Sequence, residues 1–219
     1  MKNTVIFDLD GTLLNTLEDL MDAVNFAMRG CSFPERSLEE IRRFVGNGVR
    51  VLIRRAVPEN TSEEDYEKAY SLFREYYKEN MEVHTRPYDG IDELLSNLKK
   101  AGIKTAIVTN KADFAAIPLC RRMFPSVEVV IGTSETVVPK PDPCGVYKAL
   151  EILGSKKEEA FYVGDSEVDA QTAFNSGLDL ISVLWGFRTK EELEKTGLSR
   201  FVSDTKELEE VIIESSKLS

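Results

Sequence analysis

The chain has 219 residues, 42% hydrophobic and 30% charged, with 28 Lys and Arg against 38 Asp and Glu for a formal net charge of −10. This size and balance predict a soluble globular chain that builds its own core, either one large domain or one domain carrying an insertion. The acidic balance disfavours nucleic acid and anionic membranes as partners, while a small anionic substrate would need a local positive site.

Val5-Ile6-Phe7 opens the chain as a short apolar run of the kind that forms a strand buried on both faces. It leads directly into Asp8 and Asp10, and the same acids break the run too early for a signal peptide. Two acids buried at a strand end need compensation, and a divalent cation held by hard oxygen ligands supplies it; the plain alternative is an ordinary strand exit. Leu17, Leu20, Met21, Val24 and Met28 recur at helical spacing after a Thr16/Asp19 capped start. Ser37-Leu38-Glu39-Glu40 predicts a second helix by its capping box, and Gly46-Asn47-Gly48 separates it from a third carrying Leu52, Ile53 and Ala56. A fourth helix opens at Ser62 and sets Tyr66, Ala69, Tyr70, Phe73 and Tyr77 on one stripe. Residues 15–84 therefore read as an all-helical insertion with a small core of its own.

From Arg86-Pro87 the texture changes to alternating elements. Helices are expected at 91–101, 113–123, 143–153, up to Gly177, and at 205–215. Strands are expected at 103–108, 127–131, 161–163 and 180–184. Short links between strand and helix imply parallel pairing with right-handed crossovers, so residues 1–14 and 85–219 form a doubly wound α/β core. No repeat, low-complexity tract or long linker interrupts it, and no apolar run approaches the ~20 residues of a membrane span. Cys31, Cys120 and Cys144 are odd in number and widely spaced, which suits a reducing cytosol, so the expected location is cytoplasmic.

In such a sheet, ligands collect beyond the carboxyl ends of the strands. Those ends carry Asp8 and Asp10, then Thr109 and Asn110, then Asp165 with Asp169 one turn later, while a loop holds Lys140 between two prolines. With Asp8-Leu9-Asp10-Gly11-Thr12, Thr109-Asn110, Lys140-Pro141-Asp142-Pro143 and Gly164-Asp165-Ser166 in that order, the whole chain resembles the haloacid dehalogenase-like superfamily of aspartyl phosphatases. The resemblance implies a Rossmann-like core with an inserted helical cap and a magnesium-dependent phosphatase. It implies Asp8 as nucleophile and Asp10 as general acid and then base. Asp8, the Asp10 carbonyl and Asp165 would be metal ligands, and Thr109, Asn110 and Lys140 a grip on the phosphoryl oxygens. Asp169 would orient Lys140 or a metal-bound water.

Asp10 argues against the metal-free dehalogenating branch, and the sugar-phosphate mutases usually carry a histidine in the first cap helix, where this chain has Leu20 and its neighbours. The sole histidine, His84, falls near the returning hinge, and with no GxSxG sequence a Ser-His-Asp hydrolase is disfavoured. Within the superfamily the chain is similar to phosphoglycolate phosphatases, through Phe44-Val45-Gly46-Asn47-Gly48 with Arg50, Thr109-Asn110-Lys111 and Trp185-Gly186-Phe187-Arg188. The resemblance suggests that Gly46, Asn47, Gly48 and Arg50 meet a substrate carboxylate. Asn15 and Asn175-Ser176-Gly177 depart from the common pattern. Pyrophosphate, nucleotides and sugar phosphates stand as alternative substrates, a phosphomutase and a non-catalytic phospho-ligand binder as alternative functions. Monomer and homodimer are both open.

Overall fold

The computed structural model describes residues 2–197 and 199–217. Met1, Leu198, Leu218 and Ser219, which the expected domain bounds include, lie outside the described residues. The chain divides into two compact units, Met1–Leu13 with Pro87–Ser219, and Leu14–Arg86.

The larger unit begins with β1 (Thr4–Phe7), buried at every position as its unbroken apolar run requires. The chain then enters the smaller unit through β2 (Leu14–Asn15). Four helices follow there: α1 (Leu17–Gly30), α2 (Leu38–Phe44), α3 (Val49–Ala56) and α4 (Glu63–Asn80). β3 (Arg86–Pro87), paired with β2, carries the chain back. The larger unit continues with α5 (Ile91–Lys100), β4 (Lys104–Ala112), α6 (Asp113–Met123), β5 (Val129–Thr133) and α7 (Cys144–Leu153). It ends with β6 (Ala160–Gly164), α8 (Glu167–Ser176), β7 (Asp179–Val183), α9 (Lys190–Glu194), β8 (Phe201–Val202) and α10 (Thr205–Lys217).

Six strands form one sheet in the order β5-β4-β1-β6-β7-β8, every pair parallel. The α/β, doubly wound, Rossmann-like expectation holds. Counting only these six, the order is 3-2-1-4-5-6, which reverses between β1 and β6 and opens a crevice at their carboxyl ends. Those two ends deliver Asp8 and Asp165. The register Phe7 opposite Val163 brings them out side by side, and the Asp8 N–H donates to Val163 O at 2.8 Å to extend the pairing one step. One layer of core fills the space behind the sheet with Ile6, Val108, Ile131, Val146, Leu150 and Tyr162.

In the smaller unit the Ser37 capping box forms as expected, and Tyr66, Ala69, Phe73 and Tyr77 are buried on one face of α4. The cap expected at α1 does not form. The Thr16 hydroxyl makes no capping bond, and Asp19 instead accepts the N–H groups of His84 (2.9 Å) and Thr85 (2.8 Å) in the returning segment. A carboxylate gains more from two donors than from one, so the tertiary contact outcompetes the local cap. β4 runs on to Ala112, so Thr109, Asn110 and Lys111 lie within a strand rather than after it. β5 starts two residues later than expected. Among the described residues, no helix is long and apolar enough to cross a membrane.

Candidate active site

Four chain segments, all in the larger unit, supply the residues that matter. The loop after β1 carries Asp8 and Asp10, the end of β4 carries Thr109 to Lys111, Lys140 precedes α7, and Asp165 to Asp169 join β6 to α8. Lys140 is the hub. Its Nζ lies 2.7 Å from Asp8 Oδ1 and 2.7 Å from Asp169 Oδ1, with its side chain almost wholly buried. The Lys140 main chain is gripped by Asn110, whose Oδ1 accepts the Lys140 N–H at 2.7 Å and whose Nδ2 donates to the Lys140 carbonyl at 3.1 Å. A cis Lys140–Pro141 peptide follows.

Asp169 is saturated by donors. Oδ1 accepts from Lys140 and from the Tyr162 hydroxyl at 3.2 Å, and Oδ2 from the Ser166 hydroxyl (2.6 Å), the Ser166 N–H (3.1 Å) and the Asp165 N–H (3.2 Å). Its Oδ1 therefore meets the Lys140 ammonium directly. Asp165 is held differently. The Thr12 hydroxyl donates to Oδ1 at 3.0 Å and the Phe187 N–H to Oδ2 at 2.7 Å, while Trp185 Nε1 fixes the Thr12 carbonyl at 3.0 Å. A Cβ on Gly11 (φ +95°) would strike the Asp165 carboxylate, and one on Gly186 would strike both Asp165 and the Gly11 carbonyl. Glycine is thus the residue that lets these three strand-end loops close on each other.

The electrostatics follow from this crowding. Burial pushes the Asp8 carboxyl well above the usual carboxylate range; Asp169 and Asp165 add repulsion and Lys140 opposes it. Burial also pushes Asp165 up to about 7, with Asp169 adding, against the Phe187 N–H and Thr12 hydroxyl. Burial alone would discharge Lys140, but Asp169 and Asp8 hold it as an ammonium. Asp8 and Asp169 share Lys140, and the carboxylate oxygens of Asp8, Asp165 and Asp169 approach within 4.8 Å of one another. A divalent cation fits that excess of negative charge, and an all-oxygen donor set suits magnesium. Asp169 accepts from five donors, Asp165 from two, and Asp8 pairs with Lys140.

The second acid, Asp10, has a separate partner: Lys111 Nζ at 3.0 Å from Oδ1 and 3.2 Å from Oδ2. Sequence reasoning gave Lys111 no chemistry, although its place after Thr109-Asn110 was a signal. It also missed Tyr162, Ser166 and Thr12, of which Thr12 and Ser166 sit in motifs and Tyr162 does not. Cys120 lies near this pair, and burial pushes its thiol up to about 12, so it stays protonated.

The remaining candidates sit in the smaller unit. Gly46, Asn47 and Gly48 form the turn between α2 and α3, where Arg55 donates to Asn47 Oδ1 at 3.1 Å and to the Phe44 carbonyl at 2.8 Å. Arg50 is exposed, pairs with Glu67 at 2.7 Å and lies over the Tyr70 ring at 4.4 Å. His84 stands with Glu18 and Asp22 each 3.8 Å from a ring nitrogen, beside the Asp19 clamp. Asp19, Asp22 and His84 are close enough to hold an ion, but Asp19 is bound to two amides and the other two are partly exposed, so the group reads as a tie between α1 and the returning segment.

The strand order, with acids at its reversal, defines a Rossmann-like α/β fold with its candidate site at the switch point. The chain belongs to the haloacid dehalogenase-like hydrolase family, whose model matches residues 5–183. It is 33% identical over 204 residues to a phosphoglycolate phosphatase of Thiobacillus denitrificans, covering 90% of each chain. It is 32% identical over 185 residues to a phosphoglycolate phosphatase of Aquifex aeolicus, covering 84% of this chain and 85% of that one. A crystal structure from Lactobacillus delbrueckii subsp. bulgaricus, assigned provisionally as a phosphoglycolate phosphatase, superposes with a TM-score of 0.93 at 33% identity, covering 97% of this chain and 99% of that one.

Proposed function

We propose that the protein is a magnesium-dependent phosphatase that hydrolyses a small phosphate monoester, phosphoglycolate foremost, through an aspartyl-phosphate on Asp8. The observation that carries this reading is the cluster of three buried acids at the β1/β6 crevice, Asp8, Asp165 and Asp169, whose carboxylate oxygens lie within 4.8 Å of one another. Asp8, the Asp10 carbonyl and Asp165 would hold the magnesium, which when bound neutralises charge at the phosphoryl group. The Lys140 ammonium has three N–H groups, two directed to Asp8 and Asp169 and a third for a phosphoryl oxygen, alongside the Thr109 hydroxyl and the Asn110 backbone N–H. Asp8 attacks phosphorus while Asp10 protonates the departing alkoxide. Water then attacks the aspartyl-phosphate, giving its proton to Asp10 and releasing inorganic phosphate. The names of the curated relatives support phosphoglycolate as the ester. Three free thiols suit a reducing cytoplasm.

A panel of phosphoglycolate, sugar phosphates, nucleotides and pyrophosphate, scored by released phosphate with magnesium present, tests the reading. The expected result is the highest kcat/KM for phosphoglycolate, silenced by chelator and restored by magnesium. A product isomer without free phosphate would make the protein a mutase, and no turnover of any ester would make it a binder. In the same panel, Arg50→Ala with unchanged kcat/KM for phosphoglycolate would remove the Gly46-to-Arg50 turn from substrate selection.

A further inference from the structure

We propose that Lys111 is a positioning residue for the second half of the reaction, holding the Asp10 carboxylate in the attitude from which it takes the proton of the attacking water. The inference rests on the covalent reading above. β4 loses its register with β5 between Val108 and Ala112, an irregularity of the kind that re-aims side chains. Within that stretch three consecutive residues turn to three different partners. The Thr109 hydroxyl accepts the Lys111 N–H at 3.1 Å, Asn110 grips the Lys140 main chain, and Lys111 reaches Asp10.

The Lys111 side chain is 5% exposed and that of Asp10 16%, so solvent does not average the pair as it does a surface ion pair. A cation donating to both oxygens of one carboxylate fixes the plane of that carboxylate, while each oxygen keeps a lone pair for another donor. The two half-reactions make unequal demands on that plane. In the first, the leaving oxygen belongs to a bound ester and is held in place by the rest of the substrate. In the second, the nucleophile is a water whose placement depends on the base that binds it. The water oxygen forms its bond to phosphorus and the phosphorus–oxygen bond to Asp8 breaks, its electron pair returning to the Asp8 carboxylate. The water proton passes to Asp10, and Lys111 keeps all of its protons throughout. Loss of Lys111 therefore slows hydrolysis of the phosphoenzyme more than its formation.

Rapid mixing with p-nitrophenyl phosphate and magnesium separates the two halves, because the nitrophenolate leaves without needing a proton. Lys111→Met and Lys111→Gln are expected to release close to one equivalent of nitrophenolate per chain in a burst, followed by a steady rate lowered about 10²-fold with KM not raised. Lys111→Arg, which keeps the cation, restores most of the steady rate, and far-ultraviolet circular dichroism confirms that each variant is folded. A slow steady rate without a burst, or a raised KM at unchanged kcat, overturns the proposal. If the wild-type protein turns over and Asp8→Asn does not, a missing burst removes only the role of Lys111. If Asp8→Asn turns over like the wild type, the covalent reading falls and this proposal with it.

Discussion

Asp8 and Asp10 stand two residues apart on one loop, yet each has its own lysine. Lys140 comes to Asp8 from a loop 132 positions later in the chain, and Lys111 comes to Asp10 from the end of the neighbouring strand. This division gives chemically identical side chains different surroundings. Asp8 shares its cation with Asp169 and sits beside Asp165, whereas Asp10 takes Lys111 on both of its oxygens and has a more exposed side chain. Asp8→Asn is expected to lower phosphatase turnover by more than about 10³-fold, since removing a nucleophile removes the covalent route as a whole. Released phosphate measured under saturating ester checks this, and substantial residual turnover would sink the aspartyl-phosphate. The acids themselves were legible in the sequence because they stand in a short, ordered pattern at a strand end. Their partners were less so. Tyr162 sits in an apolar strand where nothing local marks its hydroxyl, and the pairing of Lys111 with Asp10 spans 101 positions.

The elements of the sheet were read well because apolar runs and helical periodicity survive over many residues, as in β1, α5 and α7. β2, β3 and β8 are two residues long and α9 five, too short for any period to register. β5 begins after Glu128, whose carboxylate accepts the Thr105 N–H at 3.2 Å, a tertiary bond that the pattern Val127–Ile131 does not reveal. The start of α1 is the sharpest case. Thr16 and Asp19 look like a local cap, but Asp19 is 1% exposed and turned to the amides of His84 and Thr85. This clamp holds the returning segment against α1 within the smaller unit, and one buried and one partly buried N–H group depend on it. Asp19→Ala is expected to cost about 2–4 kcal/mol, the scale of orphaned buried donors and of charged hydrogen bonds. Urea unfolding measures the loss, and hydrogen exchange should show the His84 and Thr85 amides deprotected first. Protection of those two amides equal to that in the parent protein would mean that another acceptor replaces the clamp.

At the scale of the whole molecule, the buried acids make folding stability depend on pH and on metal together. An aspartic acid in an unfolded chain titrates near ~3.9. In the folded chain burial, with Asp169 adding, pushes Asp165 up to about 7. Between those two values the folded state binds more protons than the unfolded one. Its contribution to stability is full below the unfolded value and is lost as pH rises through the folded value. Asp8 is shifted in the same direction, mainly by burial, and adds to the loss. A cation at these carboxylates competes with their protons, so its stabilising effect grows over the same window and is largest once both groups are ionised. Thermal unfolding of chelator-treated protein is therefore expected to show the gain in Tm on adding magnesium rise from pH 5 to pH 8 by a few degrees. Asp165→Asn, which cannot titrate and is a poorer ligand, should flatten that rise and reduce the gain at pH 8. A magnesium-induced gain equally large at pH 5 and pH 8 in the parent protein would place the ion elsewhere than on Asp8 and Asp165, because a site built from carboxyls that must first lose their protons cannot bind independently of pH.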